Sequence, residues 1–167
     1  MTRAAVDQLL YNLDRAFVDP HANDPEHGLL RNLDAVSEED FLRAAPGGGR
    51  TIVQIAWHVA ACKFMYANHG FEDGKMDWPE LFNHWEGKPT RAEMIDWLHE
   101  AHAYFRRHVE PLDDSDLLVT RKAPFGVEFQ TRWLIANVTE HDLYHAGEIN
   151  LIRALLQGTD AWPNYDA

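Results

Sequence analysis

The stretch from Thr131 to Gln157 contains no proline and keeps one helical phase from end to end. Leu134, Val138, His141, His145, Glu148, Ile152 and Leu155 follow at alternating steps of four and three, a single stripe of an α-helix. At ~1.5 Å per residue such a helix is roughly 40 Å long, with Gly158 placed to end it. A rod of that length needs neighbours that cover its stripe, and three other segments have the same period. Val6, Leu9, Leu10, Leu13 and Phe17 line one face of a segment from about Thr2 to Val18, which Asp19-Pro20 ends. Ile52, Ile55, Val59, Cys62 and Tyr66 line a second, opened by Thr51 and Gln54 as a capping box and stopped at Gly70. Met94, Trp97, Leu98, Ala101, Tyr104 and Phe105 line a third, opened by Thr90 and Glu93 and stopped at Pro111. Four amphipathic helices and little strand predict an all-α four-helix bundle.

No connection is long enough to separate two folding units. His21, Asn23, Pro25 and Gly28 mark a loop, and Ser37 starts a helical turn anchored by Phe41 and Leu42. A Trp-, Gly- and Pro-rich loop spans Phe71 to Lys88, with a short helix near Trp78 to Trp85. Leu117–Thr120 and Val127–Phe129 flank Pro124-Phe125-Gly126, which reads as a short hairpin or extended loop before the last helix. No linker divides the chain, so residues 1–167 are expected to form one domain.

Composition narrows the function. The 167 residues are 46% hydrophobic and carry a net charge of −12, too apolar for disorder and too acidic to hold a phosphate backbone or an anionic membrane by bulk charge. No apolar run is long enough to span a bilayer, and Asp7 and Asp14 argue against a signal peptide. One cysteine cannot form an internal disulfide, so a reducing cytoplasm is the expected compartment.

Chemistry concentrates in the last helix. His141, His145 and Glu148 interrupt an otherwise apolar stripe, and buried polar groups need partners. An HxxxH pair in an arbitrary helix commonly faces water, but the apolar residues on both sides put this one inward. Side chains at i and i+4 lie about 5–6 Å apart, within reach of one metal ion. His58, within IVQIAWHVAACKFMY, is the candidate third ligand from another helix. Three neutral imidazoles on two helices would make a facial site with open positions, suited to Zn²⁺, Ni²⁺ or Fe²⁺. Cys62, one turn beyond His58, reads as a small core residue, and His102 as packed or solvated. Trp57, Trp78 and Trp85 are candidates for a pocket wall, and Asn137 for the mouth of the site.

The helix carrying WHVAACKFMY and the last helix carrying HDLYHAGEINLIRALLQG, together with the N-terminal helix, resemble the DinB/YfiT-like family of metalloenzymes over nearly the whole chain. His58, His141 and His145 match the family's three histidines, and Glu148 stands where Gln is more usual. The resemblance implies an up-down-down-up bundle, a homodimer, and a divalent ion on the three histidines, with zinc the first expectation and nickel or iron the others. It also implies a small-molecule substrate, with thiol S-transferases using low-molecular-weight thiols among the relatives. Glu148 would then be a catalytic or orienting acid. A bundle whose ion is only structural, and one that binds an apolar ligand without metal, are the competing readings.

Overall fold

The computed structural model describes residues 2–18, 28–82, 84 and 87–162. His21, Asn23, Pro25, His27 and Trp85 lie outside the described residues. Four long helices form the bundle: α1 (Ala4–Phe17), α4 (Ile52–Phe71), α6 (Arg91–Val109) and α7 (Thr131–Gln157). The shorter helices α2 (Leu29–Asp34), α3 (Glu38–Phe41) and α5 (Trp78–Phe82) occupy the connections. Both expected capping boxes are formed, Thr51 with Gln54 and Thr90 with Glu93. Gly158, at φ 71°, ends α7 in the left-handed conformation that glycine adopts without penalty.

Contacts along the helices fix their directions. Trp57 stacks on Trp97 and Phe71 meets Phe105, so α4 and α6 run parallel. Lys63 meets Asp142 and Gly70 approaches Leu134, so α7 runs antiparallel to α4. Arg3 bonds the Glu110 carbonyl and Asp14 pairs with His102 and Arg106, so α1 runs antiparallel to α6. The order is therefore up-down-down-up. A Cβ on Gly70 would stand 2.9 Å from Leu134 Cδ1, so this position lets α4 and α7 come close.

Several local expectations differ from the structure. Leu29–Asp34 is helical although its cap, Gly28, offers no side chain; buried Leu29, Leu30 and Leu33 hold it by packing. Leu42 and Leu155 are exposed, because their neighbours Phe41 and Ile152 take the inward positions. The hairpin pairs β1 (Thr120–Lys122) with β2 (Glu128–Gln130) in antiparallel register, Arg121 opposite Phe129. Phe125 at its tip has φ 70°, a costly conformation for an aromatic residue, and lies over Trp78 at 6.2 Å between centroids.

Two hydrophobic clusters fill the bundle. Ile55, Val59, Leu98 and Ile149 belong to one, and Leu13, Phe105, Leu134 and Val138 to the other. Lys63 lies within this apolar interior, 1% exposed, with its Nζ 2.5 Å from Oδ2 of fully buried Asp142. Burial pushes the Asp142 carboxyl up, and Lys63 opposes that shift. Removing one partner strands the other charge, so Lys63→Met should cost about 3–5 kcal/mol in urea unfolding. Lys63→Met/Asp142→Leu together should recover most of that loss; a double variant no more stable than the single would show that the charges are not the cause.

Candidate metal centre

Antiparallel packing of α4 on α7 brings His58 opposite the His141 and His145 pair. One ring nitrogen from each lies within 4.8 Å of the other two. His141 Nε2 is 3.1 Å from His58 Nε2 and 3.2 Å from His145 Nε2. Two nitrogens bound to one tetrahedral zinc ion, each at about 2.0–2.1 Å, stand roughly 3.3 Å apart. These two spacings are close to those of nitrogens sharing one ion.

Hydrogen bonding gives the same answer. Glu148 Oε2 is 2.7 Å from His145 Nδ1, so this ring donates to the carboxylate and turns the Nε2 lone pair inward. A single hydrogen on His141 Nε2 cannot point at both neighbours. Three converging ring nitrogens therefore lack the protons to satisfy one another, and a cation satisfies them all. Among the described residues, these three histidines are the group of His, Cys, Asp or Glu side chains able to hold a metal ion.

The rings are held in the ligating form. Burial lowers the pKa of His58, with the neighbouring His145 and Arg50 adding to it. Burial and the other two rings push His141 down to about 3. Burial also lowers His145, against the opposing pull of Glu148. All three are neutral at pH 7, as metal coordination requires.

Glu148 is partly buried. Its two oxygens lie 2.9 and 2.8 Å from Arg50 Nη2, so it links the core histidine to the residue just before the α4 cap. The sequence contains no signal for Arg50, which follows three glycines and has no periodic position. Lys63 was equally hidden, being one charged residue in an apolar stripe. Trp78 stacks face to face on His58, 6.2 Å away, and Trp57 packs beside Trp78. A cavity of about 510 Å³ opens next to His58. Cys62 Sγ lies 3.7 Å from the His58 ring nitrogens, and burial pushes its thiol up to about 12. Asn137 hydrogen-bonds Tyr66. His102 is buried away from this centre, stacked on Phe17 and 3.0 Å from Asp14; burial outweighs that carboxylate and lowers it to about 4.

The sequence profile of the DinB superfamily matches residues 23–149, a span that contains all three histidines. The fold is similar to the crystal structure of a DinB-like protein from Bacillus cereus ATCC 10987, with a TM-score of 0.61 at 16% sequence identity, over 97% of this chain and 95% of that one. No curated protein matches the chain.

The depressed ring values make the metal-free fold sensitive to acid. An unfolded histidine titrates near 6.5, whereas His102 and His141 titrate near 4 and 3 in the fold. Between pH 6.5 and about 4 the unfolded chain takes up protons that the fold refuses, so stability falls with pH. The slope should approach roughly 1 kcal/mol per pH unit for each ring. Urea midpoints at pH 6.5, 5.5 and 4.5 test this: His102→Gln and His141→Gln should each flatten the decline, and unchanged slopes would contradict the assignment.

Proposed function

The chain belongs to the DinB superfamily, and from that premise we propose that it is a divalent-metal-dependent enzyme acting on small molecules, with His58, His141 and His145 as metal ligands. The convergence of three neutral imidazoles beside an open cavity carries this reading. A structural ion is normally closed off by a fourth protein ligand. Among the described residues no fourth donor joins these three. Zinc is the proposed ion, with nickel or iron as alternatives that imidazole also suits. When bound, such an ion acts as a Lewis acid and acidifies a coordinated water or thiol.

The residues of the chain divide the remaining work. Glu148 fixes the tautomer and orientation of His145, and is a positioning residue acting through that ring. Trp78 holds the plane of His58 by stacking. The proposed reaction forms a carbon–sulfur bond between a low-molecular-weight thiol and an electrophilic acceptor in the cavity beside His58, the thiol's proton passing to solvent and the acceptor's leaving group departing with its bonding electron pair. Cys62 does not compete as nucleophile, since its thiol is held protonated. Trp133, Tyr144, Leu151 and Leu155 share one exposed face of α7, and we assign this stripe to a homodimer interface. Light scattering should report twice the chain mass, and Tyr144→Glu/Leu151→Glu should return it to that of one chain.

Metal analysis of the purified protein tests the main reading. The expected stoichiometry is one divalent ion per chain, reduced at least ten-fold in His58→Ala, His141→Ala and His145→Ala. Glu148→Gln should keep the ion but weaken its affinity about 10–100-fold. Because burial lowers all three rings, release should come well below the pH of about 6 expected of exposed histidine. Equal metal content in wild type and His58→Ala would sink the proposal.

A further inference from the structure

We propose that the cavity beside His58 binds a small organic acid, its carboxylate gripped by Arg50 and Lys88 and its apolar body laid on Trp57. This names a substrate class for the site assigned above and rests on that reading for its catalytic meaning, though not for binding itself.

The lining has two chemistries. Arg50 and Lys88 supply cationic groups, and Val53, Trp57 and Pro89 supply apolar surface next to His58. No carboxylate occurs among the described residues that line the cavity. Glu148 offsets the charge of Arg50, so the described groups at the cavity leave a net positive charge in a chain of net charge −12. Two cations beside an apolar wall attract an anion more strongly than the same charges in open solvent. At about 510 Å³ the cavity is of the size that encloses a small ligand.

Arg50 is well placed to grip a carboxylate. Its guanidinium carries five N–H donors, and the contact with Glu148 uses Nη2 alone among the described residues. The Nε and Nη1 groups can also donate to a carboxylate, and a parallel two-bond grip would share Nη2 with Glu148. Lys88, exposed at the rim, adds a second charge without fixed geometry. Trp57 is a firm wall because Trp78 and Trp97 pack against it at 5.9 and 6.4 Å and its indole N–H donates to the Leu81 carbonyl. Among the described residues, His58 belongs both to the cavity lining and to the three-histidine group, so a ligand held here lies beside that group. Arg50 also touches Glu148, which touches His145, so an arriving carboxylate competes with Glu148 for the same guanidinium.

Calorimetric titration of the full chain, with and without zinc, tests this using phenylacetate and hexanoate against the neutral phenylacetamide and hexanamide. Both acids should bind at least ten-fold more tightly than their amides. Arg50→Gln should abolish most of that preference, Lys88→Gln should reduce it about three-fold, and Arg50→Lys should retain part. The preference should be the same with and without zinc, because the grip lies on Arg50 and Lys88. Equal binding of acids and amides would overturn the proposal, as would full preference in a folded Arg50→Gln protein. Acid binding seen only with zinc and lost in His58→Ala would also overturn it, since the carboxylate would then be sitting on the ion. A chain that binds no metal but still prefers acids would refute the metal-dependent reading and leave this one standing.

Discussion

The antiparallel contact of α4 on α7 is the constraint on which the rest depends. It buries a polar layer in the middle of an apolar bundle, and such a layer is tolerated only if every member has a partner. Lys63 pairs with Asp142 Oδ2 within that layer, while Asp142 Oδ1 has no hydrogen-bond partner among the described residues. His58, His141 and His145 turn their nitrogens toward one point. A register shift of one turn between the two helices would separate both sets at once. The ion pair and the histidine cluster therefore specify the same alignment, with Gly70 opposite Leu134 permitting the close approach farther along.

Much of this was legible in the chain. Four stripes at helical period define the bundle because long helices bury predictable faces, and the two capping boxes mark where α4 and α6 begin. The histidines were legible for a different reason. Polar residues in phase with leucine and isoleucine must be inside, and inside they need a use. Three-dimensional neighbours without a periodic signature were not legible. Arg50 reaches Glu148 from a glycine-rich loop, and nothing local announces it. Lys63 looks like an ordinary charged helix residue until α7 supplies Asp142. Asp142 itself falls off the stripe drawn through His141 and His145, because the buried face of α7 is wider than one line of residues. His102 shows the converse: a histidine on an inward face that finds a carboxylate on α1 and takes no part in the cluster.

The chain of contacts from Arg50 through Glu148 to His145 joins a surface loop to the interior. Its order gives each residue a separate physical role. His145 is fixed by a hydrogen bond, Glu148 is held by the guanidinium facing it, and Arg50 remains accessible at the outer end. Two contacts thus separate an accessible guanidinium from an interior ring.

Cys62 has a consequence for chemical durability. A sulfur 3.7 Å from the His58 ring would be open to alkylation if it ionised. Enclosure within the helices, with an aspartate close by, keeps that sulfur in its unreactive hydrogen-bearing form across the physiological range. The bundle therefore shelters its sole thiol from alkylation and oxidation alike.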